Sequence, residues 1–295
     1  MLKNKITTTD LFRPVAAAVL FLLVYCQGLP AQEQEVKWKR TTETEQYLQL
    51  FHATAAFNLP TAETLQKGEM QFELAHRFTM PVSSGWSGAY GLDGSVIMSI
   101  GLDYALSNRV MLALTRSNLE GNVELRSKYK ILEINNTLLP TVIAVQAGLA
   151  YNGKPVGIVE NTGDKFQYFA SAIFNTMYHK KLAIGLVPSY LYNSYIYCND
   201  IQYSFTMGGY AQYYVSPSWS LLVEVNSTVT GWRNRYNSFA CGLEVETGGH
   251  FFRILAGTNT RLNYSQYLAG APDSFQSKYW HIGFNLTRLF SLKSD

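Results

Sequence analysis

The chain has 295 residues, of which 15% are charged, 47% hydrophobic and 14% aromatic. Soluble domains carry about 25% charged residues, so this chain lacks part of an ordinary aqueous surface. Its mean hydropathy is only −0.05, and beyond the N-terminus no stretch approaches the roughly 20 apolar residues of a membrane-spanning helix. The composition therefore excludes a helical membrane protein. The aromatic content excludes a disordered chain, and three cysteines exclude a disulfide scaffold.

The first 31 residues have the features of a signal peptide. Lys3, Lys5 and Arg13 supply positive charge, residues 15–25 form an apolar run, and Ala31 is a small residue suited to cleavage. We therefore predict an exported protein. Removal of this segment lowers the net charge from +3 to about +1 because it also carries one acidic residue. A net charge near +1 gives too weak an electrostatic field to hold phosphate backbones, so nucleic acid is not an expected partner.

Residues 32–68 differ from the rest of the chain. A charged stretch is followed by a less polar one with weak helical periodicity. We predict a periplasmic lead-in whose beginning is mobile and whose end is ordered.

From Met70 onward the sequence alternates with a period of two residues. Residues 122–131 show this most clearly, because Val123, Leu125 and Tyr129 alternate with charged residues. About twelve such runs occur, and many approach the 9 to 11 residues that a tilted strand needs to cross a bilayer. The predicted strands cover 70–78, 95–105, 109–116, 122–131, 141–151, 167–178, 181–192, 202–215, 219–227, 238–247, 251–259 and 279–290.

The connections between the predicted strands alternate in length. Tight turns at 107–108, 179–180, 216–218 and 248–250 separate longer polar segments, of which 260–278 is the longest. Short turns on one rim, long loops on the other and an even strand count are typical of an outer-membrane barrel. Two joins fit less well: residues 117–121 are short for a loop, and residues 132–140 are long for a turn.

A soluble sandwich or lipocalin-like barrel has the same alternation with the apolar face turned inward. Aromatic residues at the predicted strand ends, such as Tyr104, Tyr129 and Tyr190, favour the membrane alternative because amphipathic rings lie at headgroup level. We predict an all-β fold, an antiparallel transmembrane up-and-down barrel of about twelve strands over residues 69–295.

The face opposite the lipid is the only candidate functional surface. A lumen this narrow must pair its charges or hold water, so a plugged interior and a solute path both remain open. Glu244 and Glu246 are expected to lie across a turn from Arg253, and the basic residues could favour anionic solutes. The candidate lumen-lining residues are Glu73, Arg77, Asp103, Glu124, Arg126, Lys128, Lys130, Glu224, Glu244, Glu246, Arg253 and His281.

Motifs for catalysis, cofactors and metals are missing from the sequence. It has no Gly-x-Ser-x-Gly, His-Glu-x-x-His, Walker or Cys-x-x-Cys motif, and its five histidines are isolated along the chain. We expect no catalytic residues, no cofactor and no metal site. A hydrolase assembled from separate strands remains a remote alternative.

Six short segments carry a recognisable sequence pattern: residues 63–68, 76–78, 101–104, 126–130, 246–252 and 283–290. In sequence and in order they resemble a family of exported Bacteroidetes β-barrel proteins known as the DUF5777 domain. The resemblance covers residues 51–292 and implies an outer-membrane barrel without assigning any ligand residue.

These observations predict an outer-membrane location in a Gram-negative bacterium, with the lipid bilayer and the barrel-assembly machinery as partners. The leading functional hypothesis is a narrow, porin-like channel for small polar solutes. The alternative is a structural or accessory barrel that docks a protein through loops 152–166 and 260–278.

Overall fold

The computed structural model of the protein describes residues 48–154, 165–197 and 200–291. The predicted signal peptide, residues 1–31, and the start of the lead-in, residues 32–47, lie outside this range. Within the described residues, no helix is long and apolar enough to span a membrane.

Twelve antiparallel strands form a closed barrel in the described part of the chain. Each strand pairs with its neighbours in sequence, and the first pairs with the last through a register that joins Glu69 to Ser291 and Arg77 to Gly283. The predicted fold class is thereby confirmed. The strands are β1 (Glu69–Phe78), β2 (Val96–Ser107), β3 (Val110–Ser117), β4 (Asn122–Ile134), β5 (Thr141–Asn152), β6 (Phe166–Tyr178), β7 (Leu182–Tyr192), β8 (Tyr203–Ser216), β9 (Trp219–Gly231), β10 (Ser238–Glu246), β11 (His250–Gly257) and β12 (His281–Ser291).

The predicted difference between the two rims is present. On the short-turn rim, His179 and Lys180 both have positive φ (50° and 55°), as the tightest hairpin turns require. Gly248 and Gly249 (62° and 91°) do the same between β10 and β11. The join at 132–140 is shorter than predicted because β4 continues to Ile134.

The helical segments of the described residues lie in the connections of the long-loop rim. A five-residue α-helix spans Tyr264–Leu268 in the connection between β11 and β12. The short 3-10 helices are Val82–Ser84, Trp86–Gly91, Leu119–Gly121 and Ser277–Tyr279. The short join at 117–121 is closed by one of these 3-10 helices.

The strands turn their apolar residues outward. In β4, Glu124 and Lys128 are buried while Leu125, Tyr129 and Ile131 are exposed. A water-soluble sandwich would have the reverse pattern, because its apolar face forms the core. The outer surface is therefore an apolar belt suited to lipid.

Residues 48–66, here called the N-terminal plug, run inside the barrel. The sequence suggests an ordered lead-in preceding the barrel, but most of this part is buried, with Leu50, Phe57 and Leu59 at most 2% exposed. The physical reason is its apolar content, which fills a lumen that the strand side chains alone leave open.

A second segment enters from the opposite rim. Residues 258–271, here called the loop plug, are buried apart from Arg261 and include the α-helix. This corrects the expectation that loop 260–278 is free to dock a partner, since residues 260–271 are inside the barrel. Residues 155–164 of the other candidate docking loop lie outside the described range.

The interior has two chemically different sides. Along β5 to β11 the two plugs pack with inward residues such as Ile173, Val187 and Leu222 into one apolar cluster. Along β1 to β4 and β12, the inward residues are mostly polar, and they include Asp103 and Asn285. The first side is a packed core, whereas the second is a network of charges and hydrogen bonds.

Candidate functional site in the barrel interior

Glu224 on β9 holds the tip of the N-terminal plug. Its Oε2 accepts hydrogen bonds from the backbone N–H groups of Phe57, Asn58 and Leu59 at 3.0, 2.9 and 3.0 Å. Its Oε1 accepts one from Asn58 Nδ2 at 2.9 Å. Four donors thus converge on a carboxylate that is fully buried, and charge-assisted bonds of this kind are among the strong ones.

Arg77 on β1 and Asn285 on β12 hold the same tip. Arg77 donates to Asn58 Oδ1 at 3.0 Å and to Asn285 Oδ1 at 2.7 Å. Asn285 Nδ2 donates to the carbonyl of Phe57 at 2.8 Å. The plug tip is therefore fixed by strands β1, β9 and β12 together.

Lys128 on β4 binds the plug through backbone carbonyl groups. Its Nζ donates to the carbonyl oxygens of Thr54, Thr61 and Glu63 at 2.7, 2.8 and 3.0 Å. The Glu63 carboxylate accepts the N–H of Leu50 at 2.8 Å and closes the plug on itself. Burial raises the pKa of Glu63, and the nearby lysines oppose this shift.

A charged chain links the start of the plug to β10 and β11. Arg253 Nε lies 2.7 Å from Glu244 Oε2, and both side chains are at most 2% exposed. His52 Nδ1 lies 3.0 Å from Glu244 Oε1. Glu246 is half-buried, and its carboxylate is 3.8 Å from the His52 ring rather than beside Arg253. The expected cross-turn pair thus forms through Glu244 alone.

Glu124 on β4 anchors the loop plug. Its carboxylate accepts the backbone N–H groups of Tyr264 and Ser265 at 3.3 and 2.8 Å. The Tyr264 hydroxyl group reaches β6 and β7, where it lies 2.9 Å from Ser171 Oγ and 2.8 Å from Ser189 Oγ. Burial raises the pKa of Tyr264 to about 12, so its hydroxyl remains protonated and able to donate.

Glu120 connects the loop plug to the long-loop rim. Gln266 Nε2 donates to its Oε2 at 3.0 Å, and the Tyr197 hydroxyl donates to its Oε1. Burial raises the pKa of Glu120, while Arg261 and the Gln266 hydrogen bond lower it. Burial likewise lowers the pKa of Arg261, which Glu120 opposes.

A small cavity of about 40 Å³ remains on the polar side, where the two plugs meet. By volume it has room for about three water molecules. Four of the charged residues expected in the lumen line it: Glu73, Asp103, Arg126 and Lys128.

The sequence-predicted set is distributed along the interior rather than gathered at one point. Arg77, Asp103, Glu124, Lys128, Lys130, Glu224, Glu244, Arg253 and His281 are buried, whereas Glu73, Arg126 and Glu246 are half-buried. Lys130 pairs at 3.0 Å with Glu133 near the short-turn rim. His281 lies at the long-loop rim, 3.1 Å from Asp273 and 3.1 Å from the carbonyl of Phe78.

Sequence reasoning missed charged residues that lie outside the predicted strands. These are His52 and Glu63 in the N-terminal plug and Glu120 in the join between β3 and β4. Inward residues were predicted from strand alternation, which says nothing about residues outside the strands. A signal was present in residues 262–271, where Leu262, Tyr264 and Tyr267 make a loop unusually apolar for solvent. Uncharged inward residues such as Gln146 were also omitted, because only charges were considered.

A closed barrel with an apolar outer belt and a charged interior is the architecture of a membrane-bound β-barrel. The family described as "Membrane bound beta barrel domain (DUF5777)" matches residues 51–290, and the protein belongs to it. No curated protein matches the sequence.

Solved outer-membrane barrels have a similar fold. The COG4313 outer membrane channel from Pseudomonas putida F1 superposes with a TM-score of 0.50 at 13% identity, covering 78% of this chain and 98% of that one. The NanC porin gives 0.47 at 10%, covering 76% and 100%. Omp33 of Acinetobacter baumannii gives 0.37 at 13%, covering 76% and 100%. At these identities the likeness concerns the fold alone.

Proposed function

We propose that the protein is a gated outer-membrane channel for small polar solutes that is closed in this structure by its two plugs. The observation that carries this proposal is the division of the interior. The apolar side is packed, whereas the polar side retains a cavity lined by both signs of charge. A solute path would follow the polar side along β1 to β4.

The loop plug is the better candidate for the moving gate. It is joined to β11 and β12 at the long-loop rim, and hydrogen bonds to Glu124 and Glu120 hold it on the polar side. Water can replace such bonds at modest net cost, because each contributes only about 0.5–1.5 kcal/mol, or up to about 3 kcal/mol when one partner is charged. The N-terminal plug contributes six buried residues to the apolar cluster and the loop plug four, so the N-terminal plug remains in place in this proposal.

Conductance in planar bilayers tests the gate. The refolded protein is compared with a variant in which a short Gly-Ser linker replaces residues 260–271. We expect rare, small steps from the unmodified barrel and sustained conductance from the variant. A matched control replaces residues 86–90, which lie on the same rim outside the lumen. Sustained conductance from the control as well, or none from the 260–271 variant, would contradict the gate.

A structural or accessory barrel is the second candidate function. The observation favouring it is the continuous apolar cluster from Phe51 and Phe57 to Tyr264 and Leu268, which packs one side of the lumen as a core. A 260–271 variant that folds but stays silent would support this alternative.

We also propose that the protein is not an enzyme. His281, the histidine with a carboxylate partner at the long-loop rim, has both ring nitrogens in contact, one with Asp273 and one with the Phe78 carbonyl. A general base needs one nitrogen facing a nucleophile. Ester hydrolysis lost on changing His281→Ala would revive the hydrolase.

Location and orientation belong to the same proposal. Export by the segment 1–31, insertion by the barrel-assembly machinery and a periplasmic short-turn rim would place both the N-terminal lead-in and the C-terminus in the periplasm. Labelling of intact cells tests this. A cysteine at Ser87 on the long-loop rim should react with an impermeant maleimide, and one at Ser218 on the short-turn rim should not.

A further inference from the structure

The cavity on the polar side contains an arginine with an unusual environment. Arg126 is 80% buried, since its side chain is 20% exposed, and its Nε lies 3.5 Å from Glu124 Oε1. Within the described residues its buried Nε has no hydrogen-bond partner. The Glu124 carboxylate is already engaged by the backbone of Tyr264 and Ser265. A buried N–H donor of the guanidinium group thus lies at the cavity without an acceptor.

Two neighbouring side chains have the same deficit. Thr115 Oγ1 and Gln146 Nε2 are buried and have no hydrogen-bond partner in the part of the chain that the structure describes. The two residues are 8% and 4% exposed. Both line the cavity together with Arg126.

The strand register places these three residues side by side. Thr115 pairs with Glu124, two positions before Arg126 on β4. Gln146 pairs with Lys128, two positions after Arg126. Thr115 and Gln146 therefore flank Arg126 diagonally on the two adjacent strands, at separations that long side chains bridge. The three donors form a cluster on the inner wall of β3, β4 and β5.

The direct partners of the charged residues in the lining leave room for a negative ligand beside the cluster. Lys128 Nζ donates to three carbonyl groups of the N-terminal plug, so its hydrogen-bond partners are carbonyl groups and not a carboxylate. The Asp103 carboxylate lies two strands from Arg126, since both residues pair with Ala113, and it already accepts from Gln71 Nε2 at 3.1 Å. Glu73 completes the lining. Among the residues that line the cavity, the carboxylates are thus on β1 and β2, and the unpartnered donors are on β3 to β5. The Glu124 carboxylate on β4 is outside this lining and accepts from the loop plug.

We propose that this cavity binds one small monovalent anion. The Arg126 guanidinium supplies the charge, and Thr115 Oγ1 and Gln146 Nε2 supply further donors. The volume of about 40 Å³ admits a halide or a similarly small anion and excludes sugars and nucleotides. This inference deepens the proposed function by naming small anions as the solute class, and it rests on that function only for the role of the site in permeation.

Anomalous diffraction identifies the occupant directly. The full mature chain is refolded in detergent with rubidium bromide, so that the site loads whether or not it exchanges in the closed barrel. We expect a bromide peak in the cavity within contact of Arg126. A rubidium peak there, or density with no anomalous signal, would mean a cation or water only and would overturn the proposal.

Thermal unfolding measures the same site in solution. Sodium bromide is compared with sodium gluconate at equal ionic strength, because gluconate is too large for the cavity. We expect the midpoint to be higher in bromide by a few degrees and this increment to disappear in Arg126→Gln. The control Arg235→Gln changes an exposed arginine and should keep it. An unmodified protein with equal midpoints in both salts contradicts the site. If Arg126→Gln does not fold, the bromide peak decides.

The failure of this inference can be told apart from that of the channel. A bromide peak in a barrel whose 260–271 variant never conducts would leave a structural anion site and remove the channel. A conducting 260–271 variant without a bromide peak, and with a reversal potential that favours cations, would keep the channel and remove the anion site.

Discussion

Replacing Glu224 by alanine should release the N-terminal plug while leaving the barrel folded. The carboxylate accepts four hydrogen bonds from the plug, three from the consecutive N–H groups of Phe57, Asn58 and Leu59 and one from the Asn58 side chain. The strand ladders of β8, β9 and β10 involve none of these bonds. The perturbation therefore acts on plug docking.

Two opposing contributions set the magnitude. Four buried donors left without acceptors would each cost about 1–3 kcal/mol if the plug stayed in place. Removal of the buried charge returns part of this, because its desolvation penalty is several kcal/mol. The net loss for removing one partner of a buried charged cluster is about 3–5 kcal/mol. At 1.4 kcal/mol per tenfold change, the withdrawn state should gain about 100- to 5,000-fold in population.

Alkylation of a buried cysteine measures that population. Ala56→Cys places a thiol in the plug at a position that is 1% exposed, in a background with Cys198→Ser and Cys241→Ser. When withdrawal and return are fast relative to alkylation, the rate follows the withdrawn fraction. We expect the rate to rise by the same factor in Glu224→Ala, with little change in the heat-modifiability temperature of the barrel.

Glu246→Ala is the matched control. This carboxylate also faces the plug, but it is half-buried and lies 3.8 Å from the His52 ring. Exposed pairs are worth about 1 kcal/mol or less, so the rate should rise less than about tenfold. Equal rates for the Glu224 and Glu246 variants would refute the assignment of Glu224 as the plug anchor.

Three further predictions concern the network, the loop plug and the packed side. Arg253→Ala removes the arginine partner of the buried Glu244 carboxylate and should destabilise the barrel by about 3–5 kcal/mol in heat-modifiability or denaturant titration, against about 0.5 kcal/mol or less for Arg235→Ala at an exposed site. Burial raises the pKa of Glu120 above its ordinary 4.5, so docking of the loop plug is favoured below pH 4.5 and weakens as the pH rises through the pKa of the folded protein. Opening events in planar bilayers should therefore increase with pH, and Glu120→Gln should lose this dependence. Gly185→Ala would put a methyl group into the Tyr210 ring and should cost about 1–3 kcal/mol of stability by overpacking, measured in the same titration.

The existence of the strands, their order and the direction in which their side chains point were predictable from the sequence, because alternation reports directly on the environment of each face. The positions of the strand ends were less predictable. The strand predicted over 219–227 continues to Gly231 in the structure. The prediction ended too early because residues 227–230 show no clear alternation of polar and apolar residues. Glu244 and Arg253 could be paired before the structure was known because a two-glycine turn fixes their register.

The plugs could not be predicted by the same reasoning. Periodicity describes a strand between two environments, but residues 48–66 have a protein environment on every side. The partners of Glu224 are backbone N–H groups, which every sequence supplies, so nothing in the side-chain pattern marks Phe57 to Leu59 as its ligands. The Arg126 cluster could be predicted only in part. The sequence identifies Arg126 as an inward charge. Thr115 and Gln146 are uncharged, and only the structure shows that their buried polar atoms lack hydrogen-bond partners among the described residues.

The division of the lumen explains why this barrel needs plugs at all. Along β5 to β7 the inward positions include Val142, Ala144, Ile173 and Ala183, which are apolar and have no exposed surface. A water-filled lumen would leave these side chains wet, at a loss of about 25 cal/mol for each Å² of apolar surface. The apolar residues of the two plugs cover them, while polar contacts to β1, β4 and β9 set the position of each plug. The apolar side of the wall therefore favours the closed state. Opening would expose less packed apolar surface on the hydrogen-bonded side, where Arg126 lines the cavity.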